Sequence, residues 1–250
     1  LMKSENLQKI MYIALIVTGG LLLVNQFVIA SFSTAAGVPV HKKLSFASEK
    51  SGNILGPGLT SEGKLGVREY PTISEVPSIK ETGDKVQDAL NKYTPTGTPW
   101  YGKDIEVSFD DPVGSLDVWA EIGGPLSEKP GKRFSGQKTI WSKDLTPKQK
   151  ARYDKLVSVA TCDFCCGSPN RPTRVNECGC SHAAAARGII KYFLANYEDK
   201  YTNEQILGER VRWQTLWYPG PTVKLILTEG SEGSADVSEL SQLPNMVGGC

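Results

Sequence analysis

The chain has no surplus of charge of either sign. Lys and Arg number 28 and Asp and Glu 27 in 250 residues, a net charge of +1. No basic excess exists to neutralise phosphates, so the usual argument for a nucleic-acid partner is missing. Histidine is scarce: His41 and His182 are the only two. Hydrolytic triads and multi-histidine metal centres therefore have almost nothing to draw on. There is no G-x-S-x-G, no H-E-x-x-H and no phosphate-binding glycine loop. No catalytic motif is found, and the sequence leaves enzymatic activity open.

Charge is absent altogether from residues 10–41. Residues 10–30 are apolar apart from Thr18, Gly19, Gly20, Asn25 and Gln26, and these 21 residues make roughly 31 Å of helix, one hydrocarbon thickness. Lys3 and Lys9, with Ser33-Thr34-Ala35 beyond, suit a cleaved signal peptide. The run is long for such a core, however, and favours a retained anchor. Lys3 and Lys9 lie close to the helix start and favour the cytoplasmic side. The expectation is a single-pass protein of the cell membrane with its C-terminal domain extracytoplasmic. An alternative is a pilin-like filament subunit, with Glu5 as the acidic residue and the apolar helix packed in a filament core. Lys3, Ser4, Asn6, Gln8 and Lys9 interrupt the apolar run that such a helix needs.

Gly and Pro make up 40 of the 250 residues, above the average of about 12%. Residues 33–82 are rich in Ser, Gly, Pro and Thr and show no sustained apolar period. They read as a linker, or as an extended arm that orders against a neighbouring chain. This divides the chain into a hydrophobic anchor helix (1–32), the linker or arm (33–82) and a soluble cysteine-rich domain (83–250).

Within that domain, Val86, Leu90 and Tyr93 recur at helical spacing. Residues 105–109 alternate apolar and polar and predict a strand. Asp111-Pro112 is a cap followed by proline at the first helical position, opening a helix to about Ile122. Thr146-Pro147-Lys148-Gln149 and Thr202-Asn203-Glu204-Gln205 are capping boxes, predicting helices to about Ala160 and Trp217. Ser181 is the expected cap of a helix from His182 to about Tyr197. Pro219-Gly220-Pro221 is expected to end the helical run, with a short strand over 223–227 and one more short helix over 235–243. The fold class is α+β: a transmembrane-type N-terminal helix, a long linker, and a mainly helical C-terminal domain with a few short strands. The aromatics Tyr192, Phe193, Tyr197, Tyr201, Trp213, Trp217 and Tyr218 are expected in its core.

Five of the six cysteines fall within nineteen residues: Cys162, Cys165, Cys166, Cys178 and Cys180, with His182 two residues further on. The pattern is C-x2-C-C, an eleven-residue loop, then C-x-C-x-H. Thiolate is the ligand form of cysteine, and a helix N-terminus lowers a thiol pKa. Zn²⁺ takes four N/S ligands in a tetrahedron, and Cu(I) also takes thiolates. Cys162, Cys165, Cys166, Cys178, Cys180 and His182 are accordingly the candidate ligands of a transition metal, copper or zinc, used for metal handling or electron transfer. Six donors exceed one tetrahedron, and neighbouring Cys165 and Cys166 do not readily point at one ion. The competing reading is a disulfide set, with Cys250 stapling the tail to the cluster. Expected partners are the membrane, and further copies of the chain or members of a membrane complex.

The run Cys162-Asp-Phe-Cys-Cys-Gly, then Cys178-Gly-Cys-Ser-His-Ala-Ala-Ala-Ala-Arg-Gly, then Tyr201-Thr-Asn-Glu-Gln-Ile-Leu and Arg212-Trp-Gln-Thr-Leu-Trp resembles a group of uncharacterised exported cysteine-rich proteins. These are loosely similar to the PCYCGC-motif family. The resemblance covers residues 162–218, lacks the literal PCYCGC string, and implies metal ligands at the cysteines and histidine just named.

Overall fold

The computed structural model describes residues 51–76, 82–124, 144–230, 240 and 243–249. The predicted anchor (1–32), His41 and Cys250 lie outside them, as does most of the helix expected over 235–243. No helix among the described residues is long and apolar enough to cross a membrane.

The chain order is β1 (Ser51–Leu59), β2 (Leu65–Glu75), α1 (Lys85–Tyr93), α2 (Gly102–Ile105), α3 (Pro112–Gly123), α4 (Pro147–Val157), β3 (Thr161–Ser168), β4 (Arg171–Arg174), α5 (Ser181–Tyr197), α6 (Asn203–Trp217) and α7 (Pro219–Glu229). The described residues are thus mixed helix and strand, with two separate antiparallel hairpins, β1–β2 and β3–β4.

Local chemistry starts several of the helices where the sequence predicts. Asp111 caps α3 by accepting from the Gly114 N–H at 3.0 Å, with Pro112 at the first helical position. Both capping boxes form. The Thr146 and Thr202 hydroxyls accept from Gln149 and Gln205, whose side chains accept in turn from the threonine N–H groups.

Helix α6 is the centre of the domain. Residues 206–217 are buried on every face, so it has no polar side to give to water. Glu209, Arg210, Arg212 and Gln214 are buried with it, and buried charge survives only when paired. On one side the Glu209 carboxylate accepts from the backbone N–H groups of Ile73 and Ser74 (3.2 and 2.9 Å), the Ser74 hydroxyl (2.6 Å) and the Tyr101 hydroxyl (2.5 Å). Arg212 donates to the Ser74 hydroxyl and to the Glu75 carbonyl. Hairpin β1–β2 is thereby locked to α6.

Residues 51–75 are therefore core strands, where the sequence suggested a linker. The turn-like string Asn53 to Leu59 is β1, paired from Leu59↔Leu65 to Asn53↔Pro71. Proline is tolerated because a two-stranded sheet has only edge strands. Gly56 is needed for contact: a Cβ there would overlap Val211 of α6.

Helices α3 and α5 cross backbone to backbone. A Cβ on Gly123 would strike the Ala184 carbonyl, and one on Gly188 the Trp119 carbonyl. The alanines at 183–186 thus form a floor for α3, and Ala183, Ala184 and Ala185 are fully buried. Around this crossing pack Trp119, Trp213, Trp217, Tyr101, Tyr218 and Phe193, each worth about 1.5–3 kcal/mol on burial. Edge-to-face pairs such as Tyr101–Phe193 (5.1 Å, 89°) and Trp119–Tyr192 (5.5 Å, 72°) add specificity. A second, smaller core joins Ala89 and Tyr93 of α1 to Val223, Ile226 and Leu227 of α7, with Leu240.

Two further expectations are corrected. The alternation of Ile105, Val107 and Phe109 is real, since all three are buried, but no strand pairs with them. Instead α2 ends at Glu106 in the left-handed region (φ 58°), and the Val107 N–H returns to the Gly102 carbonyl at 2.9 Å. The strand expected over 223–227 is part of α7. Helix α6 does end at Trp217, before Pro219 as expected, but Pro219 then occupies the first turn of a new helix, whose Val223, Ile226 and Leu227 follow helical spacing.

Candidate metal centre

Both halves of the cysteine pattern are carried by short, irregular backbone held on buried helices. After α4 the chain turns at Ala160 into β3. Cys162 pairs with Thr173, but the next pair is Gly167 with Pro172, so residues 163–166 bulge out of the ladder. The bulge is the reason that adjacent Cys165 and Cys166 reach the same place. Regular strand alternation would send them to opposite faces.

The second half sits at the start of α5. The cap of that helix is Cys180, one residue before the predicted Ser181, and its sulfur accepts from the Ala183 N–H at 3.4 Å. Arg187, buried one turn further on, donates to the carbonyls of Val175 (2.5 Å) and Cys178 (2.9 Å) and to that of Gly124 (2.9 Å). It pins the loop carrying Cys178 to the helix.

The sulfurs of Cys162, Cys165, Cys166, Cys178 and Cys180 all lie within 4.8 Å of one another. The close contacts are Cys162–Cys165 at 3.4 Å, Cys162–Cys180 at 3.5 Å, Cys165–Cys180 at 3.5 Å, Cys165–Cys166 at 3.3 Å and Cys166–Cys178 at 2.9 Å. None is at the disulfide bond length of about 2.05 Å. A tetrahedral ion with metal–sulfur bonds of about 2.3 Å needs sulfurs about 3.8 Å apart. Four of the contacts, at 3.3–3.5 Å, are within about half an ångström of that, and Cys166–Cys178 is closer. Five cysteines converging this closely can hold a metal ion.

His182 is not brought into the group. Its ring is buried against Tyr218 (centroids 4.7 Å apart) and Trp217 (6.0 Å), and its Nε2 lies 2.8 Å from the Val247 carbonyl. That partner accepts, so the proton belongs on Nε2. His182 ties the tail at 243–249 to the core, helped by the Val247 N–H donating to the Trp217 carbonyl at 2.8 Å.

The electrostatics divide the thiols. Hydrogen bonding with Cys165 and Cys180, then burial, pushes the Cys162 thiol far up. Hydrogen bonding with Cys162 and Cys180 holds the Cys165 thiol far down. Burial and the neighbouring Cys178 push Cys166 up to about 12. Burial also raises the Tyr218 hydroxyl, and the adjacent sulfurs of Cys162 and Cys165 add to it.

Beneath Cys162 lies a polar support that motif reading does not find. Asp163 is fully buried. It accepts from the Thr161 hydroxyl and the Gln214 amide and faces Arg210 at 4.0 Å, while burial raises its carboxyl. Arg210 donates to the Thr161 carbonyl at 3.0 Å, joining β3 to α6. The only sequence signal for Arg187 is a cation directly after the alanine run, and Arg210, set among Glu209, Arg212 and Gln214, gives none. Comparison with protein-family models, with curated proteins and with solved structures finds no match for this chain.

Proposed function

We propose that this protein binds a thiophilic transition-metal ion through Cys162, Cys165, Cys166, Cys178 and Cys180, in the service of metal handling. The observation that carries the reading is the convergence of five sulfurs within 4.8 Å from two separate chain segments. An all-thiolate set suits Zn²⁺ and Cu(I). An iron–sulfur cluster interposes irons and sulfides between its thiolates, and sulfurs this close leave no space for them. The chemistry that the ion supplies is soft-ligand capture and exchange. The chain contributes a fixed set of thiols, the Ala183 N–H that donates to the Cys180 sulfur, and the buried cations Arg187 and Arg210 nearby. The charge-free run at residues 10–41 supports an anchor that holds this domain at a membrane, on its outer side.

The test is cobalt substitution of the reduced protein under anaerobic conditions. Thiolate-to-cobalt charge transfer and the ligand-field bands of a tetrahedral site are expected at one ion per chain, and zinc is expected to displace them. Absence of both bands, with every thiol still titratable in the presence of the ion, overturns the reading.

A further inference from the structure

The five sulfurs are not equivalent in position. Cys162, Cys165 and Cys180 form a nearly equilateral triangle, with sides of 3.4, 3.5 and 3.5 Å. Cys166 touches a corner of it, 3.3 Å from Cys165, and pairs with Cys178 at 2.9 Å, closer than any of the other sulfur contacts and roughly 0.9 Å beyond a bond. Access differs as well. Cys166 is partly exposed at the end of the β3 bulge, whereas Cys178 is 5% exposed and its carbonyl is held by Arg187.

Given the metal-binding reading above, on which this rests, the geometry points to a redox-gated site. The Cys162–Cys165–Cys180 triangle holds the ion, and the Cys166–Cys178 pair opens the site by closing into a disulfide. The three thiolates of that triangle would hold the ion, and a tetrahedral site would take one more ligand. Cys166, 3.3 Å from Cys165, belongs to the pair that supplies this ligand. Closing the disulfide removes both candidates at once. Cys162, Cys165 and Cys180 alone would then hold the ion, more weakly, so that an acceptor could take it.

The oxidant is a small disulfide such as oxidised glutathione. The partly exposed Cys166 sulfur gives up its proton and attacks one sulfur of the oxidant. A mixed disulfide forms and one glutathione thiolate leaves. The Cys178 sulfur then attacks the Cys166 sulfur and expels the second glutathione. Two cysteine thiols are oxidised, one glutathione disulfide is reduced to two thiols, and the two cysteine protons end on the two glutathiones. Cys166 serves as the attacking thiol because it is reachable, and Cys178 as the resolving thiol because it is buried and fixed.

The experiment titrates the zinc-loaded full chain with oxidised glutathione. Zinc release is followed with a chromophoric chelator, and disulfides are mapped by peptide mass spectrometry. The first disulfide is expected between Cys166 and Cys178, in step with zinc release and a roughly tenfold or greater loss of zinc affinity, as ligand-shell losses produce. Cys178→Ser is expected to trap a glutathione adduct at Cys166. Cys166→Ser is expected to abolish the fast release while leaving a site that still takes zinc more weakly. A first disulfide that includes Cys162, Cys165 or Cys180 overturns the division of labour, as does a Cys166–Cys178 disulfide that forms with zinc affinity unchanged. Failure of the metal reading looks different: the chain takes up no zinc while Cys166 and Cys178 still pair.

Discussion

Replacing Glu209 by alanine tests whether β1–β2 belongs to the core. The carboxylate is fully buried and is the acceptor for the N–H groups of Ile73 and Ser74 and for the Tyr101 hydroxyl. Alanine leaves these three donors without that acceptor in a site closed to water. A buried donor stripped of its partner costs about 1–3 kcal/mol, so the sum is about 3–9 kcal/mol. Arg212 also loses the acid that shares Ser74 with it. A domain of this size has a total stability of about 5–15 kcal/mol, so the loss takes a large share of it. At about 2–4 °C per kcal/mol, a central loss of about 5 kcal/mol lowers Tm by roughly 10–20 °C. Thermal and urea unfolding followed by circular dichroism measure this, and hydrogen exchange at Ile73 and Ser74 localises it. Glu209→Gln keeps one acceptor oxygen and should fall between wild type and Glu209→Ala. A loss below about 1 kcal/mol for alanine, with Ile73 and Ser74 still protected, refutes the docking of the hairpin through this residue.

Three other outcomes follow from the same contacts. Thr202→Ala removes the cap of α6 and should cost about 1 kcal/mol in urea unfolding, since one first-turn N–H loses its acceptor. Asp163→Ala strands Arg210 in the core and should cost about 3–5 kcal/mol. Adding Arg210→Met should recover part of that loss, and a double variant worse than the single one contradicts the pairing. Zinc affinity should weaken steadily as pH falls in competition titrations, because each ligand thiol must lose its proton to bind. The upward shift of Cys162, and of Cys166 to about 12, carries that dependence well above neutrality, and a flat profile between pH 6 and 9 contradicts thiolate ligation.

What was legible in the sequence was local. The capping boxes at Thr146 and Thr202 and the Asp111-Pro112 start are chemistry between residues three apart, and all three form as read. The density of cysteines pointed to a shared site, and the sulfurs do gather. What was not legible depends on distant partners. Gly56 and Pro57 look like turn residues until α6 is present to need the space. The alternation at 105–109 looks like a strand because burial of alternate residues is the only thing the pattern encodes; an αL residue at Glu106 achieves it without a ladder. The β3 bulge that lets Cys165 and Cys166 face one point is set by pairing with β4, which a sequence does not display. His182 followed the cysteines by two residues and invited a ligand role. The tail at Val247, sixty-five residues away, engages its Nε2 instead.

X-ray absorption at the zinc edge of the reduced, zinc-loaded chain addresses the central claim most directly. It reads both the presence of a bound ion and the identity of its ligands. One ion per chain is expected, surrounded by sulfur at about 2.3 Å, with no nitrogen shell at the shorter distance that His182 would contribute. A shell of nitrogen and oxygen alone, or a chain that retains no zinc after passage over a desalting column, contradicts a thiolate metal centre at Cys162, Cys165, Cys166, Cys178 and Cys180.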